Sequence, residues 1–274
     1  MSDPFSYLVI GKAMEVHREL GPGVDEIFYH ELLSERLRVA GIEHLCRPRQ
    51  PLLHRGIVAD IFEADLVFPS KLVTELKCLR GTFAPEHYVQ LICYLKFWGV
   101  SAGFLFDFAK DSLLHRRVNY APVTGLGFDP QTLLSDAPDL GKDCELATAL
   151  GCGIAHVIAL HGFGYRDTSY RGLLAAEFNA EGFGCLTQPT AAVRVHQRSL
   201  GDTRCDCLAV GGRFGIQVLA LRRSITAADI AILRTHLRLL GLPHGLILNF
   251  GKTALDHCWI RHPQINPANR DPKI

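Results

Sequence analysis

The sequence predicts an α/β protein built as two tandem copies of one domain, each a mixed β-sheet flanked by helices. Three observations carry that expectation. Stretches with apolar residues at helical spacing alternate with runs rich in Ile, Val, Leu and Phe, so helices and strands share each domain. A shift of 141 places aligns Gly21 with Gly162, Gly23-x-x-Glu26-x-x-Tyr29 with Gly164-x-x-Asp167-x-x-Tyr170, Leu32-Leu33 with Leu173-Leu174, Gly41 with Gly182, Pro48 with Pro189 and Asp65 with Asp206. With one residue inserted in a hairpin loop, Gly99 then aligns with Gly241, Gly103 with Gly245 and Phe108 with Phe250. Between the copies, Pro122, Gly125, Gly127, Pro130, Pro138 and Gly141, with four Asp, read as a linker. The expected division is 1–120, a linker 121–144, a second copy 145–263 and a tail 264–274.

A chain of 274 residues exceeds the usual single domain, and 48% hydrophobic with 21% charged residues is a globular composition with material for buried cores. No apolar run is expected to reach the 18 or more residues of a membrane span, and the first residues do not resemble a signal peptide, so a cytoplasmic location without membrane contact is expected. Nine scattered cysteines fit reduced thiols there. Cys205-x-Cys207 has no matching second pair and reads as two thiols on a strand rather than a zinc site. Charge is asymmetric: residues 1–120 hold 14 Lys+Arg against 15 Asp+Glu, whereas residues 145–274 hold 14 against nine. Phosphate contacts, if any, are therefore expected from the second half.

In chain order, residues 5–20 read as a helix with Tyr7, Ile10, Met14 and His17 at helical spacing, stopped by Gly21-Pro22-Gly23. A second helix runs to Ala40 and closes at Gly41, with Glu26 and Tyr29 on one face. Strands follow at His44–Cys46, Leu52–Arg55 and Ile57–Phe68, with Pro48, Pro51 and Gly56 as breaks. Residues 84–98 form a helix with Thr82 as N-cap and Gly99 as its end. On it His87, Gln90 and Tyr94 make one stripe. Ser101–Phe108 is the next strand, and a strand-helix-strand crossover of that length implies parallel pairing.

The chemistry concentrates in the hairpin of arms 61–68 and 72–79. If Pro69-Ser70-Lys71 is its loop, Phe68 faces Leu72 and Asp65 falls opposite Glu75. Alternation then puts Glu75 and Lys77 on the face of Asp65, with Leu76 and Cys78 toward the core. Opposed Cβ atoms lie about 4.5–5.5 Å apart, close enough for two carboxylates to grip one cation. Like charges at that distance call for neutralisation, and a hard dication such as Mg²⁺ or Mn²⁺ suits oxygen ligands. Beside it, Lys77 could orient or help deprotonate a water. On spacing alone the same three residues read rather as the solvated face of an edge hairpin.

Taken together, Glu15-Val16-His17-Arg18-Glu19-Leu20-Gly21-Pro22-Gly23, Gly23-x-x-Glu26-x-x-Tyr29, Asp65, Glu75-Leu76-Lys77 and His87-x-x-Gln90-Leu91-x-x-Tyr94-Leu95 resemble the GxxExxY family of the PD-(D/E)XK nuclease superfamily. The resemblance covers about residues 8–119, and Ala64 stands where the superfamily motif has proline. It implies two restriction-endonuclease-like domains and a metal-dependent nuclease. Asp65 and Glu75 would hold the metal with Glu15 from the first helix, Lys77 would position the attacking water and Gln90 would assist. A solvent-facing role for Glu15 stays open.

The second copy keeps the scaffold without the chemistry: Glu75 becomes Gln217, Lys77 Leu219, Gln90 Ile232, Glu15 His156 and His17 Ile158. Only Asp206 is expected to remain. The reading is a nuclease acting on nucleic acid through the first copy, paired within the chain to a non-catalytic second copy that grips phosphate through Arg222 and Arg223. The alternative is a non-enzymatic nucleic-acid-binding or assembly protein that retains the fold.

Overall fold

A computed structural model describes residues 3–121, 127–195, 198–221 and 224–261. Arg222 and Arg223, and the expected tail 264–274, lie outside the described residues. The chain divides into two compact units, 1–52 with 61–122 and 53–60 with 123–274. The exchange of 53–60 departs from the expected division at 120.

The first unit opens with α1 (Pro4–Leu20), capped by Asp3, whose side chain accepts the Ser6 N–H. Its buried stripe is Ser6, Val9, Ala13, Val16 and His17, one step round from the expected one, and Tyr7 and Met14 are exposed. Small side chains on that stripe let α2 (Glu26–Val39) approach closely. Gly41 follows with φ of 70°, and the Ile42 N–H returns to Leu37 O, a turn that glycine closes without a Cβ clash. Then come β1 (Leu45–Cys46), β2 (Arg49–His54), β3 (Ile57–Glu63), β4 (Leu66–Phe68), β5 (Leu72–Lys77), α3 (Pro85–Phe97), β6 (Ala102–Asp107) and β7 (Leu114–Asn119).

Three of these elements differ from expectation. β2 runs through Pro51, which is tolerated because β2 and β3 form a two-stranded ribbon rather than the interior of a sheet. The expected strand Ile57–Phe68 is two strands in two sheets, broken at Ala64-Asp65. α3 is capped not by Thr82 but by His87, whose Nδ1 accepts the Ala84 N–H at 3.0 Å.

The sheet order is β1-β4-β5-β6-β7. β5 and β6 are parallel across the α3 crossover, and the other pairs are antiparallel. Phe68 pairs with Leu72 across the loop 69–71, where Ser70 has φ of 58°. One face of the sheet buries Leu66, Phe68, Leu76, Phe104, Phe106 and Phe108 against Val9, Ala13, Val16, Tyr29, Leu33 and Leu37. Each such side chain contributes roughly 1.5–3 kcal/mol by leaving water. Tyr29 is the keystone of that layer. Its ring stacks on Phe108 at 4.6 Å, and its hydroxyl donates to Gly21 O at 2.5 Å, tying the start of α2 to the end of α1.

The second unit repeats this plan with α5 (Cys144–His161), α6 (Asp167–Ala180), β8 (Cys185–Thr187), β9 (Thr190–Val195), β10 (Arg198–Arg204), β11 (Leu208–Val210), β12 (Phe214–Ala220), α7 (Ala227–Leu240), β13 (His244–Phe250) and β14 (Leu255–Arg261). Its sheet order is β8-β11-β12-β13-β14, again with one parallel pair. Tyr170 repeats the keystone, stacked on Phe250 at 3.8 Å and donating to Gly162 O at 2.8 Å. Val210 pairs with Phe214 as Phe68 pairs with Leu72, so the two hairpin loops are equal in length. The inserted residue therefore lies before β11, not in the loop. Leu208 matches Leu66, and Cys207 rather than Asp206 takes the place of Asp65.

The expected linker is largely folded into this unit. It carries α4 (Pro130–Ser135), with Leu133 fully buried and its carbonyl accepting the Trp259 indole N–H. Asp143 is clamped by Arg213 and His244. Among the described residues Gly141–His161 is long and apolar enough, by length and composition, to cross a membrane, contrary to expectation. Its small residues hide that character in the sequence, and in the unit they bury Ala147, Leu150, Ile154, Val157 and Ile158.

The ribbon tip 53–60 is held in the second unit by close backbone approach and charge. A Cβ on Gly172 of α6 would stand 1.9 Å from Ala59 O, so only glycine fits there. Asp60 receives Arg166 at 3.0 Å and the Ser169 hydroxyl at 2.6 Å. Gly172→Ala is therefore expected to lift the ribbon, lower stability by about 1–3 kcal/mol as overpacking does, and expose the Arg55–Gly56 bond to trypsin. Gly11→Ala, where a Cβ meets nothing within 4 Å on exposed α1, is expected to stabilise by about 0.5–1 kcal/mol. Thermal melts and timed trypsin digests of the two variants check both.

Candidate active site

The break between β3 and β4 sets the geometry of the first unit's acidic site. With Asp65 released from strand pairing, its backbone and side chain are each fastened separately. Its carbonyl accepts the Arg47 N–H at 2.8 Å and faces His30 Nε2 at 3.0 Å. Its Oδ2 accepts the Leu76 N–H at 2.7 Å, and its own N–H donates to Glu75 Oε1 at 3.2 Å. The next residue, Leu66, pairs with Thr74, so Asp65 lies beside Glu75. Lys77, two residues along the same strand, donates to Glu75 Oε2 at 3.0 Å. Asp65, Glu75 and Lys77 thus converge on one face of the hairpin.

The electrostatics are unbalanced. Glu75 is 2% exposed. Burial, and then the neighbouring Asp65 charge, push its carboxyl up to about 8 despite Lys77. Burial pulls Lys77 down, but Glu75, Asp65 and Glu26 outweigh it and leave the ammonium stabilised above its ordinary value. Glu26 is raised, mainly by burial, with Lys77 and Arg47 lowering it and Asp65 raising it. Three carboxyl groups thus surround Lys77, with the Arg47 charge also acting on Glu26 and the Glu75 proton retained by burial, and a divalent cation is the charge that would displace that proton. Asp65, Glu75 and Glu26 are the oxygen donors that would hold it.

Glu26 is the residue that sequence reasoning undervalued. It stands at the first turn of α2, three residues before Tyr29, whose hydroxyl locks the entry to that helix. The motif spacing was the available signal. Glu15, expected as the helical ligand, is instead half-exposed and paired with Lys12 at 2.8 Å on α1. His17 is buried, stacked on Phe108 and bonded to Lys110 O. Gln90 lies on α3 with its amide donating to the Tyr94 hydroxyl at 3.0 Å, and Tyr94 donates to Glu63 O at 2.7 Å. That chain holds the last residue of β3 just ahead of the break. The expected stripe therefore splits, with His87 a helix cap and Tyr94 an anchor.

In the second unit the corresponding place is neutral. Gln217 is buried at the position of Glu75, Leu219 replaces Lys77, and burial pushes the Cys207 thiol up to about 12. Asp206, displaced by the insertion, is exposed and pairs with Arg171 at 2.6 Å. Arg171 also reaches Asp167, the match of Glu26, at 3.5 Å. A guanidinium there already compensates the acids that remain.

A second polar cluster in that unit joins His54, His156 and Glu177, with ligand atoms all within 4.8 Å of one another. Burial would raise Glu177, but bonds from Arg55, His156 and His54 hold it down at about 2. Arg55 Nε and His54 Nε2 each lie 2.7 Å from Oε2, and Arg55 Nη2 and His156 Nδ1 lie 3.0 and 2.8 Å from Oε1. Four donors fill both oxygens and Arg55 supplies the positive charge, so the cluster works as a hydrogen-bonded staple for the ribbon tip.

Comparison with known proteins places these observations. The solved structure titled "Crystal structure of SSO0001" is similar at 14% identity over 54% of this chain and 94% of its own, with a TM-score of 0.27 that carries no structural argument. No curated protein matches the sequence. A family model described as the PD-(D/E)XK nuclease superfamily matches residues 3–118 and again 146–262, the two copies recognised above from their motifs and strand orders. The chain belongs to the PD-(D/E)XK nuclease superfamily, as a tandem duplication of its domain.

Proposed function

We propose that the first unit is a divalent-metal-dependent nuclease that hydrolyses nucleic-acid phosphodiester bonds, with the second unit as its non-catalytic partner. The observation that carries this reading is the buried Glu75 carboxyl, bonded to the Asp65 N–H and to the Lys77 ammonium beside the Asp65 charge. Like charges are held together in a fold only when something returns the cost. A bound Mg²⁺ or Mn²⁺ would offset charge on the phosphoryl oxygens and lower the pKa of a bound water. Asp65 and Glu75 fix the site between the break and β5, and Glu26 closes it from α2. Lys77 is held as an ammonium, so its role is to orient the nucleophile and hydrogen-bond a developing phosphoryl charge rather than to act as a base. Gln90 acts through Tyr94 and Glu63 by keeping the break in place. The neutral Gln217, Leu219 and Cys207 support a non-catalytic second unit. The near-neutral charge of residues 1–120 argues against tight unaided nucleic-acid binding by the first unit, and the second reading is a binding or assembly protein that keeps the fold without cleavage. Binding without cleavage in both Mg²⁺ and Mn²⁺ would select that reading.

Cleavage of single- and double-stranded DNA and RNA, assayed with each metal, tests the proposal. Lys77→Ala is expected to lower the rate by about a hundredfold or more, the usual cost of one charge-stabilising donor, while leaving binding nearly intact. A wild-type protein as slow as Lys77→Ala would end the nuclease reading.

Metal is also expected to stabilise the fold, by about 2.7 kcal/mol at one hundred times its Kd. Asp65→Asn combined with Glu75→Gln should abolish that shift, which differential scanning calorimetry reads directly.

The metal-free protein has a pH signature of its own. Glu75 is raised in the folded state, so it takes up a proton on folding between its ordinary range and about 8. That stabilisation is complete below the ordinary carboxylate range and is lost as pH rises through about 8. Melting temperature in chelator is expected to fall between pH 5 and 9 in the wild type and to fall less in Glu75→Gln. An identical slope in both would show that Glu75 is not the titrating group.

A further inference from the structure

Arg47 ends β1 with φ of 45°, in the left-handed region that a long side chain seldom adopts. Its counterpart in the second unit, Gln188, has φ of 47°. Both make the same backbone bond to the residue at the break, Arg47 N–H to Asp65 O at 2.8 Å and Gln188 N–H to Cys207 O at 3.0 Å. Such a conformation costs of order 1 kcal/mol or more at a non-glycine residue, and glycine would adopt it freely. Its occurrence twice with a long polar side chain points to a side chain that must be aimed.

The second unit gives the direction of that aim. Gln188 Nε2 donates to Asp206 Oδ1 at 3.0 Å, beside the residue that replaces Asp65. Arg47 holds the same backbone place, bonded through its N–H to Asp65 O, and its charge acts on Glu26. It is exposed, and among the described residues no carboxylate lies within ion-pair distance of it. A planar guanidinium with its donors uncommitted matches two oxygens of a phosphodiester, a geometry that the Lys77 ammonium does not offer.

We propose that Arg47 is a substrate-positioning residue that holds a backbone phosphate of the bound nucleic acid over the Asp65, Glu75 and Lys77 site. This deepens the nuclease reading and rests on it. The acidic face alone repels a polyanion, and Arg47 is placed at its rim to offset that repulsion locally.

The test uses the full chain with Arg47→Gln, Arg47→Lys, Arg47→Gly and, as a control for bulk charge, Arg18→Gln on the exposed face of α1. Cleavage gives KM and kcat. Anisotropy of labelled duplex and single strands in a Lys77→Ala background gives binding and its salt dependence. Arg47→Gln is expected to raise KM about ten- to hundredfold, the range for losing a charged hydrogen bond, with kcat nearly unchanged. It should also flatten the slope of log K against log salt by about 0.9 on duplex DNA. Arg47→Lys should recover the slope but only part of KM. Arg47→Gly relieves the left-handed backbone and should melt no lower than Arg47→Gln while binding as weakly, which separates the phosphate contact from a folding defect. Normal KM and slope in Arg47→Gln and Arg47→Gly, with Lys77→Ala still inactive, would overturn the role of Arg47 and leave the nuclease reading standing. An equal effect of Arg18→Gln would assign the change to bulk charge and overturn it as well. A wild-type protein that neither binds nor cleaves would remove both.

Discussion

The break at Ala64-Asp65 is the constraint on which the rest of the first unit depends. A continuous strand from Ile57 to Phe68 would pair Asp65 into one ladder and leave its side chain to alternate with its neighbours. Broken there, the chain enters a second sheet, and Asp65 is gripped at its N–H, its carbonyl and its carboxylate by Glu75, Arg47, His30 and Leu76. Each neutral bond contributes only about 0.5–1.5 kcal/mol net. Together they fix a carboxylate beside a buried one more rigidly than a loop could. The Tyr94 bond to Glu63 O holds the approach from the other side, so α3 serves the site through backbone geometry.

The same break has consequences outside the site. Because β3 leaves the sheet of β4, the β2–β3 ribbon is free to extend away, and its tip 53–60 becomes part of the second unit. The order of strands in space therefore departs from the order of copies in sequence. Glu177, which has no acidic counterpart at Arg36 of the first copy, exists to receive that tip. A buried carboxylate without its partners is strongly destabilising, so the ribbon contributes specific charge compensation rather than apolar cover alone.

Much of this was legible in the sequence, for identifiable reasons. Hairpin register follows from loop length and alternation, so Phe68 opposite Leu72, and the meeting of Asp65, Glu75 and Lys77, could be counted out in advance. The duplication was legible because glycines and the Gly-x-x-acid-x-x-Tyr spacing recur at one offset. What escaped was decided by tertiary contact. Ile57–Phe68 has no breaker at Ala64, so its split depends on Tyr94 and Arg47 from other elements. Glu15 and Glu26 are both acids on early helices, and the packing of those helices, which spacing does not give, leaves Glu15 with Lys12 and puts Glu26 within the field of Asp65. The inserted residue before β11 falls in a stretch where Asp206 offers a false match to Asp65. The segment 121–144 reads as a linker because Pro and Gly are frequent there, although Leu133 and Asp143 anchor it.

The two copies separate what the scaffold needs from what the chemistry needs. Common to both are the Tyr hydroxyl on a glycine carbonyl eight residues earlier, the ring stacked on the end of a central strand, the left-handed residue before the ribbon and the parallel strand pair. Apart from the Arg47 side chain, which is Gln188 in the second copy, none of these carries charge at the site. What differs is the set of ionisable groups. Gln217 keeps the shape of Glu75 with no charge, and its Oε1 finds no hydrogen-bond partner among the described residues. An unsatisfied buried amide costs about 1–3 kcal/mol, still less than an isolated buried carboxylate. Leu219 and Cys207 complete the neutral set, and Arg171 binds the two acids left at its edge. Relaxation toward neutrality on an unchanged backbone is the outcome expected where nothing selects for a charged site. The first copy keeps Glu75 buried beside Asp65 on the matching strands, against the direction in which stability alone would drive it.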